Sequence, residues 1–235
     1  MQRFFVLPET LAWDFFRTRE KSFCHQITRV LNLAPGAEIL VLNNTGTEFR
    51  IQLTEVTRKK VVGKILEQSQ NSTEPQLQLT LFQALPKKIS KFEQLLRSAT
   101  EVGVTEFRPL LTERTEVKGL ARPERLERIL REAAEQSGRG LIPRLTAVQK
   151  FSAILETPGF KLLADSFCLQ PLLPKFLPQI ARQKQVGILL GPEGGFSERE
   201  VQAAQVAGIP NFSLGPRVLR VETAGVGIAS RILFN

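Results

Sequence analysis

Two apolar rhythms divide the chain. Over residues 1 to about 70 the apolar residues come in short runs: Phe4-Phe5-Val6, Glu38 to Leu42, Phe49 to Leu53 and Val61 to Leu66, separated by Pro35-Gly36 and by Asn43-Asn44-Thr45-Gly46. Runs of that length bounded by turn residues predict strands, and several of them at this spacing predict a small β-barrel. Only His25 to Leu33 has a pattern that fits a short helix. Gln68 to Pro75 is polar, unpatterned and closed by proline, which predicts a linker between two domains.

From Gln76 the period changes. Leu77, Leu79 and Leu81 alternate as in a strand, and Ile89, Phe92, Leu95, Leu96, Ala99 and Val102 then recur at three and four up to Gly103, predicting an amphipathic helix with a glycine stop. Phe107 to Leu111 predicts a strand, Arg122 to Ser137 a helix with Leu126, Ile129, Leu130 and Ala133 on one face, and Lys161 to Ala164 another strand. Strands alternating with helices predict a parallel α/β sheet, and the general rules of chain connection predict an unknotted, doubly wound one.

The same alternation continues through Val186 to Ala224 with a difference in its turns. Val186 to Leu190 is an apolar strand that runs into Gly191-Pro192-Glu193-Gly194-Gly195-Phe196-Ser197, where Ser197 and Glu200 have capping-box spacing and Val201, Ala204 and Ala207 repeat helically before Gly208. Asn211 to Leu214 then leads into Gly215-Pro216 and a helix from about Glu222 to the end. Residues without a Cβ let the backbone approach a ligand, and parallel sheets bind ligands at the carboxyl ends of their strands, so two such turns point to a ligand site shared between them. Neither is a Walker loop or a G-x-G-x-x-G turn.

Charge adds a partner. The 235 residues carry a formal net charge of +9 with a pI near 10.0, which favours a polyanion, and nucleic acid before a membrane surface. No apolar run reaches the ~20 residues of a membrane span, and Arg3, Pro8, Glu9 and Asp14 interrupt the first segment, so the expectation is a cytoplasmic protein with no membrane and no metal. Cys24 and Cys168 have no metal or disulfide spacing and read as two reduced, partly buried thiols. His25, the one histidine, reads as a packing or hydrogen-bonded residue. Among the cations, Glu124 with Arg128 and Glu127 with Arg131 form i,i+4 pairs on a solvated helix face, whereas Lys87, Lys88 and Arg114 lack such partners and lie near strand ends, where phosphate contacts are expected.

The motif Leu190-Gly191-Pro192-Glu193-Gly194-Gly195-Phe196-Ser197 followed by Leu214-Gly215-Pro216-Arg217-Val218-Leu219-Arg220-Val221-Glu222-Thr223-Ala224 resembles the paired signature of the RsmE family. The likeness extends to Arg3-Phe4-Phe5-Val6, His25 with Val30-Leu31, Ala99 to Val104, Thr112-Glu113-Arg114 and Glu135-Gln136-Ser137-Gly138-Arg139. Asn32 stands where that family usually has Arg, and Val221 where it usually has Thr. The resemblance implies an α/β fold in two domains: a PUA-like RNA-binding β-barrel over 1–70, and over 75–235 a SPOUT methyltransferase domain closed by a C-terminal trefoil knot. It also implies a symmetric homodimer through the last helix, whose apolar set is Ile228, Ile232, Leu233 and Phe234.

The function implied is methyl transfer from S-adenosylmethionine to N3 of a uridine in small-subunit (16S) ribosomal RNA. By resemblance the cofactor sits on Leu190, Gly191, Glu193, Gly194, Gly195, Leu214, Gly215, Leu219, Thr223 and Ala224, with Glu193 complementing the sulfonium, capping the adjoining loop or serving as a helix-start carboxylate. Arg220 is the cation for the uracil oxygens and Glu222 the proton acceptor, with Arg217 able to serve as well. The RNA-binding set is Arg3, Arg29, Lys87, Lys88, Arg114, Arg139 and Arg217. The alternatives are a non-catalytic RNA-binding or ribosome-assembly protein on the same fold, and a nucleotide-dependent oxidoreductase, which the missing G-x-G-x-x-G disfavours.

Overall fold

The computed structural model describes residues 1–165, 167–168 and 171–234. Asn235, the last residue of the expected second domain, lies outside them. The chain divides into two compact units, Met1–Glu74 with Ala134–Ile142, and Pro75–Ala133 with Pro143–Asn235.

The first unit contains β1 (Arg3–Phe5), β2 (Leu11–Ala12), β3 (Phe15–Thr18), α1 (Lys21–His25), β4 (Glu38–Leu42), β5 (Thr47–Val56) and β6 (Val61–Gln70). The strands form one sheet in the order β1-β4-β5-β6-β3-β2, antiparallel except for the β1–β4 pair. The two end strands are not paired with each other, so backbone hydrogen bonds do not close the expected barrel. Alternation along the strands sends Ile39, Val41, Ile51, Leu53 and Val61 to the core, where they meet Phe4, Phe16, Phe23 and Ile27.

The expected helix at His25 begins four residues earlier, and α1 continues into a π-helical turn over Gln26–Val30. Cys24 is fully buried there, and burial, followed by the nearby Glu20, pushes its thiol up. His25 next to it, expected as a packing or hydrogen-bonded residue, is exposed, so the packing role does not hold. The linker also shortens, because β6 extends to Gln70.

The expected division at residues 70–75 needs one amendment, since the segment 134–142 packs with the first unit. Ala134 and Ile142 join Phe5 and Leu42 in a small core cluster, and the Glu135 carboxylate accepts the Phe5 N–H at 2.8 Å. The Glu74 carboxylate accepts two bonds from the Arg139 guanidinium, at 2.6 and 3.2 Å, as well as the N–H groups of Gly140 and Leu141.

The second unit begins with β7 (Gln78–Ala84), α2 (Ile89–Val102), β8 (Glu106–Leu111) and most of α3 (Pro123–Ser137), whose last residues belong to the first unit. It continues with β9 (Arg144–Leu145), β10 (Gln149–Lys150), α4 (Phe151–Leu155), β11 (Phe160–Ala164), α5 (Leu177–Ile180), β12 (Gln185–Leu190), α6 (Glu198–Val206), β13 (Asn211–Phe212) and α7 (Val221–Leu233). Its sheet runs β10-β8-β7-β12-β11-β13, with β9 also on β8, and every pairing is parallel. The central β7 and β12 bury consecutive residues, as strands covered on both faces must.

Helix ends follow their local chemistry. Gly103 takes φ 115° and closes α2, while the Ser197 hydroxyl and the Glu200 carboxylate form the reciprocal capping box of α6. The helices α2 and α7 approach closely because Gly225 has no side chain: a Cβ there would lie 2.4 Å from a Leu95 methyl. Ile228 and Ile232 are thereby buried within the chain and are not available to a second copy, whereas Phe234 is 73% exposed. On α3, Arg128 pairs forward with Glu132 at 3.7 Å and not back with Glu124, and Arg125 bonds Glu93 of α2 at 2.6 and 2.9 Å.

Candidate active site

The neighbouring strands β12, β11 and β13 end at one edge of the parallel sheet, and a cavity of about 260 Å³ opens there. Parallel strands leave their carboxyl ends facing the helix starts, so backbone groups of several turns converge without distorting the sheet. Leu190, Gly191, Pro192, Glu193 and Gly195 form one wall, Ser213, Leu214, Gly215 and the segment Arg217 to Val221 another, with Lys91, Ala164, Asp165 and Ala224 between.

The first wall is a tight turn in which the Gly195 N–H donates to the Pro192 carbonyl at 2.9 Å. Gly195 takes φ 69°, and a Cβ on Gly191 would stand 3.0 Å from the Gly195 backbone, so the turn closes on itself only with glycine at both places. Side chains from elsewhere in the unit hold it. The buried Gln83 amide donates to the Gly191 carbonyl at 3.1 Å and to the Ala84 carbonyl at 2.7 Å. Arg114 donates to the Gly194 carbonyl at 2.6 Å. Glu200, buried at the start of α6, accepts the Glu113 N–H at 2.8 Å while also capping its own helix.

Glu193 spans from this turn to α2, accepting the Lys91 ammonium at 2.7 Å and the Lys87 N–H at 3.1 Å. Burial pushes its carboxyl up, but Lys91 and the N–H groups of Glu193 and Lys87 together outweigh that and hold it below the usual range. Glu193 thus ties the turn to the segment that opens α2 and not to α6. The second wall is looser: the Ser213 hydroxyl accepts the Gly215 N–H at 3.1 Å, and Pro216 to Arg220 are exposed.

Of the expected cofactor residues, Leu190, Gly191, Glu193, Gly195, Leu214, Gly215, Leu219 and Ala224 line the cavity, while Gly194 and Thr223 do not. Gly194 faces Arg114 instead, and Thr223 is exposed. Arg217 and Arg220 stand at the mouth, and neither has an ion-pair partner among the described residues. Glu222 is buried one residue inside α7, off the cavity, and its Oε2 has no hydrogen-bond partner among the described residues.

Lys91, Asp165, Ser213 and Gln83 escaped sequence reasoning. Two had a signal: Asp165 directly follows the apolar strand Leu162-Leu163-Ala164, and Gln83 is a carboxamide inside the apolar run Leu79 to Leu85.

The expected RNA-binding residues scatter. Arg29 and Lys88 are exposed, Lys88 at the N-cap of α2. Lys87 is not partnerless, since it pairs with Glu116 at 2.9 Å, and Arg114 is committed to Gly194. Arg3 bonds the Gly138 carbonyl at 2.7 Å and lies 3.3 Å from Glu48. Arg139 is 3% exposed, so its guanidinium forks onto Glu74 and is shut off from any phosphate.

This fold and site belong to a class. A model described as an RNA methyltransferase domain matches residues 72–233, and one described as an RNA methyltransferase PUA domain matches 25–66. The chain is 38% identical over 227 residues to the ribosomal RNA small subunit methyltransferase E of Synechocystis, covering 94% of this chain and 74% of that protein. It superposes with a TM-score of 0.89 on the crystal structure of a ribosomal RNA small subunit methyltransferase E from Neisseria gonorrhoeae bound to S-adenosyl methionine, at 27% identity, covering 99% of this chain and 96% of that one. A methyltransferase from Legionella pneumophila, solved with S-adenosylmethionine, gives a TM-score of 0.86 at 26% identity, covering 98% and 96%. The chain belongs to the ribosomal RNA small subunit methyltransferase E family. No helix among the described residues is long and apolar enough to cross a membrane.

Proposed function

We propose that this protein transfers a methyl group from S-adenosylmethionine to N3 of a specific uridine in 16S ribosomal RNA, with the reaction at the mouth of the cavity between the two glycine turns. The observation that carries the proposal is the pairing, in one cavity, of a glycine cradle on Leu190 to Gly195 with two guanidiniums, Arg217 and Arg220, that have no ion-pair partner among the described residues, on the facing segment. The residues suit such a cofactor: Leu190, Leu214, Leu219 and Ala224 offer apolar surface, backbone groups of both turns are open to a planar base, and Asp165 and Glu193 are anionic groups for a sulfonium or ammonium. When bound, the cofactor supplies an electrophilic methyl carbon.

The protein's own residues do the rest. The imide proton must leave N3, and the charge then spreads over the uracil oxygens, where a preorganised guanidinium acts on charge as it develops. Arg220 is assigned that role, with Arg217 beside it. Glu222 is assigned the proton because its buried Oε2 lacks a partner among the described residues, and the role requires movement of the exposed 216–220 segment from which α7 starts. N3 lies on the Watson–Crick edge, so the target uridine must be unpaired or extruded.

The wider reading includes RNA binding by the PUA-like first unit, a trefoil knot in residues 75–235, a homodimer and a cytoplasmic location beside the ribosome. The insertion of β12 between β7 and β11, with α7 folded back onto α2, supports the knot. The exposed Val218, Leu219 and Phe234 support the dimer.

Arg220→Ala tests the proposal in a methyl-transfer assay on small-subunit RNA read out as N3-methyluridine. Turnover is expected to fall about a hundredfold or more while S-adenosylmethionine affinity stays within a few-fold, the scale of losing one preorganised charge. Arg220→Lys is expected to recover little, because a point charge cannot present a planar fork. Equal loss of turnover and affinity would make Arg220 a cofactor-loop residue.

A further inference from the structure

The tip of the β2–β3 hairpin holds a residue that neither turn chemistry nor packing explains. The register Ala12 to Phe15 and Leu11 to Phe16 leaves Trp13-Asp14 as a two-residue connection. Such connections favour Asn and Gly at positive φ, yet neither Trp13 nor Asp14 is among the positive-φ residues. Nor is the indole buried: Trp13 is 103% exposed. A large apolar ring held wholly in water lowers neither folding nor turn energy, so its place at the tip calls for a partner.

The surroundings say which kind. On β3 the side chains alternate, so Phe16 and Thr18 are buried while Phe15, 45% exposed, and Arg17 face outward. Lys64 lies directly across from Phe15 on β6, and Leu66, also exposed, is two residues further along the same face. At its other end β3 meets β6 at Thr18 opposite Val61, which puts the β5–β6 turn with Arg58 and Lys59 beyond it. Arg17, Lys64, Arg58 and Lys59 have no ion-pair partner among the described residues, and Asp14 is the acidic residue at the tip. The aromatic core of a protein-docking surface is normally depleted in lysine, whereas Lys64 stands directly beside Phe15 here. Aromatic faces followed by a track of free cations fit a chain of stacked bases and phosphates.

We propose that the outer face of β3 and β6 is a platform for single-stranded RNA, on which Trp13 and then Phe15 stack unpaired bases while Arg17 and Lys64 take the adjoining phosphates. This rests on the reading of the protein as an RNA methyltransferase and assigns the part of the first unit that holds the substrate strand.

The sequence supplies its own probe, because Trp13 is the one tryptophan and there is no tyrosine. Titration of the full-length protein with single-stranded oligouridylate of about ten nucleotides is expected to quench Trp13 emission in step with binding. Trp13→Ala is expected to weaken that binding about tenfold without changing its salt slope, and Trp13→Phe to recover most of the loss. Arg17→Ala is expected to lower the salt slope by about one. Circular dichroism and thermal melting of each variant check that the fold of the first unit is intact.

Unquenched emission at saturating RNA, or a Trp13→Ala variant with unchanged RNA affinity and an unchanged KM for RNA, overturns the platform. Emission that responds to ribosomal proteins and not to RNA makes the face a protein-docking surface instead. If the wild-type protein methylates its RNA while these variants behave like it, only the platform fails. If the wild-type protein transfers no methyl group, the proposed reaction fails while the quenching still reports on the platform.

Discussion

The turn after β12 and the turn after β13 reach the same cavity, yet the first is held by side chains from several other segments and the second by hardly any. Gln83, Arg114, Lys91 and Glu200 all fasten Gly191 to Ser197 or the residues around it. Across Leu214 to Arg220 the bonds among the described residues are the Gly215 N–H to the Ser213 hydroxyl, that hydroxyl to the Gly215 carbonyl at 3.4 Å, and the Ala224 N–H to the Arg220 carbonyl, and Val218 is 82% exposed. A Cβ on Gly191 would meet backbone, whereas one on Gly215 would meet nothing within 4 Å. One wall is therefore fastened from several distant segments, and the other, with few bonds and exposed side chains, is the less constrained of the two. The arginines assigned to chemistry are on the second wall, where a change of position costs least.

The largest expected effect separates the two glycines. Gly191→Ala forces its Cβ against the Gly195 backbone, a steric cost of about 2 kcal/mol or more, and calorimetry should show S-adenosylmethionine affinity reduced roughly thirtyfold. Gly215→Ala has room but must hold φ 108°, which costs about 1 kcal/mol and predicts roughly a fivefold loss. Equal losses would break the contrast.

A smaller effect tests the fastening itself. Glu200→Ala opens the capping box and leaves the Glu113 N–H without its acceptor, at a cost of about 1–3 kcal/mol. The melting temperature should fall by about 2–4 °C for each kcal/mol lost in a chain of this size. A variant that melts with the wild type would mean that the first wall stands without α6.

The smallest effect concerns pH. The Glu193 carboxyl is held below its usual range, so the folded protein binds that proton less readily than the unfolded chain does. The clamp to Lys91 is complete above the ordinary glutamate pKa and is lost as pH falls through the lower folded value. Cofactor affinity should be flat down to that range and weaken below it, while Glu193→Gln should remove this step. The change should be modest, because the carboxylate is 36% exposed and screened. A step of the same size in Glu193→Gln would assign it to another group.

The legibility of the chain follows the same division between local and distant causes. The spacing of Phe92, Leu95, Leu96 and Ala99 and the stop at Gly103 are contained within one helix, and that helix is where they place it. The β2–β3 hairpin gave little local signal because its turn, Trp13-Asp14, holds a single turn residue and neither glycine, asparagine nor proline beside it. Arg139 was expected at a phosphate, since its role depends on Glu74, which is 65 residues away and invisible to any local pattern.

What the sequence determined by itself was each element whose cause lies within a few residues: the longer strands and helices of the second unit, the capping box of Ser197 and Glu200, and the two glycine turns that pointed to a ligand. The tertiary structure decided which residues meet. It returned the segment 134–142 to the first unit, buried Ile228 and Ile232 on α7, and put Lys91 and Asp165 into a cavity with residues about a hundred and about fifty positions further on. Helical and strand periods report which face of an element is apolar, but the partner of that face is chosen by parallel pairing and close packing between segments far apart in the chain, and no window of neighbouring residues contains that choice.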